Sequence, residues 1–346
     1  MKIYIDKMIR ISRSKKVRKK IIRAIIFILI LVIILLTLAK IFVPASKHST
    51  IISEFYDEPK NTLDVIFVGE SSVYKGVSPI RIWEKYKITS YDYGSPTAKL
   101  YNNYYCIKEV LKYQRPKVII LNTDQLFHNE QMKEEYKRLL YDAMKLNKNK
   151  IEAIMDPVQN NSKNEQISFI FPILRYHSRW MELEDEDFLK NKGKYDNIFK
   201  GYWLVKEIEP YKGEKYNKYQ EISRTELKYF EKIADLCKEN SIELIAVEFP
   251  SIQTWNNSKK EKVEQIAKDN NVRFLDLHDV LDEIGIDWSK DTGDEGYHLN
   301  ISGAEKISDY LGKLLSENYE FENYKNEEVY KSWEEELVKY NEYKNK

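Results

Sequence analysis

The sequence predicts an α/β fold, a parallel sheet covered by helices on both faces, set behind one membrane-spanning helix. Three observations carry this expectation. Short apolar, β-branched runs alternate with segments of helical spacing, the runs end on small or polar residues, and one long apolar stretch precedes them all. A chain of 346 residues is long enough for such a domain and an appendage. Lys+Arg 56 against Asp+Glu 55 leaves the net charge near zero, so no nucleic-acid partner is expected.

The charge is uneven at the N-terminus, where Met1 to Arg23 holds ten Lys/Arg against one acid, Asp6. There follows "IIRAIIFILILVIILLTLAKIFV", residues 21–43, charged only at Arg23 and Lys40. At a rise of about 1.5 Å per residue it spans roughly 35 Å, enough to cross a bilayer core. Residues 1–20 are then a basic cytoplasmic segment, and everything after Val43 is expected outside the membrane. A cleaved signal peptide reads similarly, but its apolar run is typically about 7–15 residues, so an uncleaved anchor is the reading taken.

Residues 44–61 read as a polar connector. "LDVIFVGE" is the first strand; "SPIRIWEKYK" is a helix opened by Ser78 as N-cap and Pro79 at the first turn; "ITSYDYG" is the second strand. "KLYNNYYCIKEVLKYQ" is a helix ended by Arg115-Pro116, and "KVIILNTDQLF" is the third strand. Residues 128–220 break the rhythm and read as a largely helical insertion or cap. After it come helix "RTELKYFEKIADLCKEN", strand "IELIAVEFP", helix "SKKEKVEQIAKDNN", strand "VRFLDLHD" and the helix "SGAEKISDYLGKLLSE", whose Ser302 and Glu305 have capping-box spacing. The domain is bounded at 62–317. For the charged tail, 318–346, two readings are open: an amphipathic helix on the domain, or a frayed end. Cys106 and Cys237 lie in helical patterns and read as buried apolar residues.

In open α/β sheets reacting groups gather at the carboxyl ends of the strands. Those ends are Gly69-Glu70-Ser71-Ser72, Tyr93-Gly94-Ser95, Asn122-Thr123-Asp124 and Glu248-Phe249-Pro250. One histidine, His298, follows two acids, Asp294 and Glu295, in the Gly-rich loop "DWSKDTGDEGYHLNISG". Acyl transfer needs an exposed serine, a histidine base, a carboxylate that fixes the imidazole tautomer, and N–H donors for the oxyanion. Ser71, His298, one of Asp294 and Glu295, and the backbone of Ser71 and Gly94 supply candidates for each part. The five histidines, His48, His128, His177, His278 and His298, show no paired metal-ligand spacing, so no metal and no cofactor are expected.

The order of these residues resembles the SGNH/GDSL hydrolase superfamily over roughly residues 63–317. Gly69-Glu70-Ser71 matches its first block, Gly94 its second, and Glu295-Gly-Tyr-His298 with "LNISGAEK" its last. The resemblance implies a three-layer α/β/α flavodoxin-like sandwich with a Ser-His-acid triad acting on esters or transferring acyl groups. With the anchor and "FPILRYHSRW" it is similar to membrane-anchored members of Gram-positive bacteria, of the D-alanyl transfer and alginate-acetylation type. That implies a cell-surface polysaccharide or acyl donor, and a membrane-bound O-acyltransferase as partner.

Asp124 stands where the family's third block has asparagine. Three outcomes are open: an oxyanion hole of backbone donors alone, Asn122 or Gln125 in its place, or a catalytically silent scaffold that binds a polymer or a membrane partner. On the substrate side the candidates are Asp124, Asn300 and, in the insertion, His177, Arg179 and Trp180. The last three read either as a wall of the acceptor site or as part of an amphipathic cap helix, with Trp180 packed downward and His177 and Arg179 solvated.

Overall fold

A computed structural model describes residues 15–188, 195–213, 221–321 and 327–346. They form two compact units, Met1–Pro44 with Lys163–Lys192, and Ala45–Ser162 with Gly193–Lys346. The sequence treats 128–220 as one insertion. The structure divides it, grouping its middle with the apolar helix and its flanks with the sheet.

In the first unit, helix α1 spans Lys15–Phe42. Its Val17–Phe42 stretch, 26 residues with mean hydropathy 3.3, is long and apolar enough to cross a membrane. The second segment of this unit carries helices Lys163–Ile170 and Ile173–Tyr176 and the 3₁₀ turns His177–Met181 and Asp185–Phe188. Ile173–Tyr176 packs against α1.

The second unit is built on a five-stranded parallel sheet: β1 Val65–Gly69, β2 Ser90–Gly94, β3 Val118–Asn122, β4 Glu243–Glu248 and β5 Arg273–Asp276. Their spatial order is β2-β1-β3-β4-β5, the doubly wound order of flavodoxin-like sheets. Every residue of β1, β2 and β3 is buried, as a parallel sheet covered on both faces requires. Val65, Phe67, Val118, Ile120, Ile245 and Val247, alternate positions on their strands, share one apolar cluster with Ile307, Leu311 and Leu315. Those last three lie on helix Ile301–Asn318, which packs on helix Pro79–Tyr86. Leu100–Val110 and Arg224–Glu239 pack together as a second helix pair, the former also against β1 and the latter against β4.

Local chemistry sets these ends. Ser78 caps Pro79–Tyr86 by accepting the Arg81 N–H at 3.3 Å, and the helix stops at Lys87, whose φ of 56° is left-handed. The last helix differs from its expected start. Asn300, two residues before Ser302, is the N-cap and accepts from the N–H groups of Ser302 and Gly303, while Ser302 Oγ bonds Asp291 instead. The third and fifth strands are shorter than their apolar runs: "DQLF" and "LHDV" turn into 3₁₀ segments. The connector is not simply extended, since Ser46 and Ser49 form a capping box for helix Lys47–Glu54, and Tyr91 Oη donates to the Ile51 carbonyl at 2.8 Å. A short hairpin, Ile198–Phe199 with Tyr202–Trp203, has no counterpart in the sequence reading.

Of the two readings of the tail, the helix is present, over Glu327–Asn345. Its Trp333 and Tyr340 are buried, Glu334 accepts from Trp83 Nε1 at 3.0 Å, and Tyr340 Oη donates to Glu305 at 2.9 Å. Cys106 and Cys237 are free and buried.

On β2, Asp92 is fully buried, and neither carboxylate oxygen has a hydrogen-bond partner among the described residues. Burial pushes its carboxyl well above the usual range. A raised folded-state value means that the acid contributes stability below about pH 4, where both states are protonated, and that this is lost as pH rises. Asp92→Asn should therefore flatten the decline in thermal stability between pH 5 and pH 8, and at pH 8 exceed the wild type by at least about 1 kcal/mol. Thermal unfolding of the full chain in detergent micelles measures both.

Candidate active site

At the carboxyl end of β1 the chain makes a tight elbow. A side chain at Gly69 would come within 2.5 Å of Val73 Cγ2 and 2.9 Å of Asn122 Cβ, so only glycine lets the strand pass directly into helix Ser71–Tyr74. Ser71 opens that helix. Its N–H has no intrahelical acceptor by position, and its carbonyl accepts from the Lys75 N–H at 3.1 Å.

Ser71 Oγ lies 2.7 Å from His298 Nε2. The other ring nitrogen, Nδ1, is hydrogen-bonded to Asp294 Oδ2, and Asp294 Oδ1 accepts the main-chain N–H of His298 at 2.6 Å. A carboxylate can only accept, so Nδ1 carries the proton and Nε2 is left to accept from the serine hydroxyl. One side chain thereby fixes both the tautomer and the orientation of the imidazole. Lys75 Nζ sits 3.9 Å from the same Asp294 oxygen.

The loop holding His298 is tied down at many points. Thr292 and Leu299 form an antiparallel bridge, Thr292 Oγ1 donates to the His298 carbonyl at 2.9 Å, and the Gly296 N–H donates back to Thr292 Oγ1 at 2.8 Å. Glu295 and Gly296 both have positive φ, 57° and 92°. This turn decides between the two acids. Asp294 faces the imidazole, while Glu295 is swung outward to pair with Lys212. The acid in contact with the imidazole is thus four residues before the histidine, one earlier than the matched block places it.

A second loop buttresses the first. Ile252 N–H donates to the Gly296 carbonyl at 3.1 Å, and Gln253 Nε2 to the Glu295 carbonyl at 2.9 Å. Ser251 N–H in turn donates to His278 Nε2 at 3.0 Å, and His278 Nδ1 bonds Asp276 at 2.7 Å. The sequence reading gave no role to Ser251, Ile252, Gln253, Asp276 or His278. Its available signal was Asp276-x-His278 at the end of the fifth strand.

The oxyanion candidates separate by geometry. Ser95 N–H donates to the Gly69 carbonyl at 3.3 Å. Alternate residues of a parallel strand face opposite neighbours, so the Gly94 N–H points away from β1 and from Ser71. Gly94 is instead a place of close approach, where a side chain would meet Tyr74 Cδ1 at 3.0 Å and the Glu70 carbonyl at 3.3 Å. Gln125 is engaged elsewhere, donating to the Ala98 carbonyl at 2.8 Å and accepting from Asn103 at 2.7 Å. Asn122 is fully buried against Gly69, and its amide nitrogen and oxygen have no hydrogen-bond partner among the described residues. Buried amides of this kind are satisfied by water or ligand.

Asp124 belongs to a buried charge network. Its carboxylate accepts from Lys259 Nζ at 2.9 Å and meets His128 Nε2 at 3.3 Å, while His128 Nδ1 lies 4.0 Å from Glu70. Burial works to raise the Asp124 carboxyl, but the hydrogen bond and charge of His128, with Lys259, outweigh it and hold it at about 2. Burial pushes the Glu70 carboxyl up. Against the downward pull of burial, Glu70 and Asp124 raise His128 above its ordinary value. Glu70, Asp124 and His128 bring three donor atoms within 4.8 Å of one another, a spacing a metal ion could use, though Lys259 already brings a cation to Asp124. His128 is the one histidine of this group, and Asp124 lies four residues before it, on one turn.

Asn300, a substrate-side candidate, is 1% exposed. Its carbonyl caps the last helix, and its amide donates to the Lys290 carbonyl at 2.7 Å, which makes it structural. His177, Arg179 and Trp180 belong to the unit of the apolar helix rather than to the unit that holds Ser71.

No family model and no curated protein matches the chain. Two solved structures are similar in outline. One, described as a "putative acylhydrolase" of Bacteroides fragilis, is 11% identical with a TM-score of 0.37, over 76% of this chain and 93% of its own. The other, a GDSL-like lipase of Bacteroides thetaiotaomicron, is 10% identical with a TM-score of 0.38, over 79% of this chain and 98% of its own. The site rests on its own geometry.

The two acids make a direct comparison. Asp294→Asn should lower ester turnover by about 10²–10⁴-fold, because the amide can present its N–H to Nδ1 and favour the wrong tautomer. Glu295→Gln, which loses only a half-exposed ion pair, should stay within about threefold of wild type. Steady-state hydrolysis of an aryl ester by each variant reads the difference.

Proposed function

We propose that the chain is a serine esterase or O-acyltransferase, held in a membrane by α1, with the Ser71 unit on the extracytoplasmic side, acting on an ester of a cell-envelope polysaccharide. The observation that carries this reading is the Ser71 Oγ–His298 Nε2 contact of 2.7 Å, continued to Asp294 through Nδ1.

In the first half-reaction Ser71 Oγ attacks the acyl carbonyl as its proton passes to His298 Nε2, and Asp294 stabilises the imidazolium. The developing oxyanion takes the Ser71 N–H and the Asn122 amide N–H as donors. His298 returns the proton to the departing alkoxide, and the acyl group stays on Ser71. In the second half-reaction water or a sugar hydroxyl loses its proton to His298 and attacks the acyl-serine, and the same proton regenerates the Ser71 hydroxyl. The network of Glu70, His128, Asp124 and Lys259 lies outside these proton transfers and fixes the elbow electrostatically.

The test is chemical capture of the intermediate. Acid quenching of the full chain during turnover of an aryl acetate should give an acetylated peptide containing Ser71, absent from Ser71→Ala. Asn122→Ala should slow its formation by roughly 10²-fold without lowering thermal stability, since that amide has no hydrogen-bond partner among the described residues to lose. An acetylated sugar formed in the presence of added sugar would assign transfer, and acetate alone hydrolysis. Absence of acylation with the fold intact would favour a binding scaffold instead.

A further inference from the structure

Within the unit of α1, the segment that follows Ser162 has an unusual surface. Leu174 is 55% exposed, Trp180 66%, Met181 71% and Phe188 62%, four large apolar side chains within fifteen residues. A water-exposed loop would not keep such a set uncovered without a partner. The same segment is fastened to the end of the apolar helix. Arg179 Nη1 donates to the carbonyl of Phe42, the last residue of α1, at 2.6 Å, and Nη2 pairs with Asp187 at 3.1 Å. The guanidinium thus satisfies one of the terminal helix carbonyls, where a cation is also favoured by the helix dipole.

Phe42 closes a stretch whose length and hydropathy suit a bilayer span and whose side chains from Ile21 to Ile34 are exposed along one face after another. A segment anchored to that carbonyl therefore sits at the depth where the hydrocarbon ends. Its side chains are the kinds that belong there: a tryptophan, flexible and aromatic apolar groups, and arginines at 175 and 179.

We infer that residues 173–188 form an interfacial collar, with Leu174, Trp180, Met181 and Phe188 buried in the headgroup–acyl boundary of the leaflet at the Phe42 end of α1. The occupant of the patch is lipid. This rests on the anchored reading of α1, and it assigns Trp180 to the membrane rather than to a sugar.

The test uses the full chain reconstituted in phosphatidylcholine/phosphatidylglycerol vesicles with bromine at carbons 6 and 7 or at carbons 11 and 12 of the acyl chain. Flotation with the vesicles reports insertion of α1. Tryptophan emission should be quenched, more by the shallow bromines than by the deep ones, and Trp180→Phe should lose most of that quenching while still floating. An environment-sensitive label on Met181→Cys should shift to the blue on reconstitution. Failure to float in carbonate-washed vesicles would remove the anchor and the collar with it. Flotation with Trp180 unquenched and the Met181→Cys label unshifted would overturn the collar alone, as would protection of Met181→Cys by cross-linking to a second copy.

Discussion

The missing side chain at Gly69 is the constraint from which the site follows. Parallel register aligns Gly69 with Gly94 on one neighbour and brings the end of β3 alongside on the other. Because both flanks are closed and Asn122 and Val73 press on the elbow, the chain has one way out of the sheet: up and over into the turn that begins at Ser71. Ser71 is then presented, half-buried, at the carboxyl edge of a buried sheet without needing a flexible loop. His298 arrives from the opposite end of the sequence on a loop that is itself over-determined, by Thr292 from within and by Ser251 to Gln253 from outside. Such preorganisation matters because catalysis loses sharply when reacting atoms drift by even an ångström.

Charge beneath the elbow is balanced internally. Two carboxylates, Glu70 and Asp124, face two basic side chains, His128 and Lys259. A carboxyl held at about 2 contributes stability above its ordinary range near pH 4 and loses it only as pH falls toward 2, so Asp124 itself stays ionised through neutral pH. The Asp124 charge is directed toward Lys259 and His128, while the neighbouring Asn122 amide has no hydrogen-bond partner among the described residues. Burial, with the nearby Asp124, pushes the carboxyl of Glu248, the last residue of β4, well above its usual range, and it accepts from Thr123 Oγ1 at 2.6 Å.

Much of this was legible in the sequence because it depends on periodicity and on where apolar runs stop. All five strands of the sheet, the serine at the end of the first and the histidine before the last long helix could be named from pattern alone. What escaped depends on backbone direction, which residue types do not encode. Whether Gly94 presents its N–H to the elbow is a matter of ladder parity, visible only once Ser95 is seen bonding Gly69. The choice of Asp294 over Glu295 hangs on two consecutive left-handed residues. His128 and His278 each lie beside an acid at short spacing, yet the spacing acquires meaning only because apolar runs end early and tighten into 3₁₀ turns. The insertion read as a single cap; its division follows from the helical and 3₁₀ segments after Ser162 packing on the apolar helix, among them Arg179, which bonds a helix end 137 positions away.

The central claim is that Ser71 is a nucleophile activated by His298. The most direct measurement is intact-mass and peptide mass spectrometry of the full chain after reaction with an alkyl fluorophosphonate. The account predicts one adduct per chain, on Ser71, and its loss in His298→Ala. An adduct elsewhere, or equal labelling of His298→Ala, would contradict it.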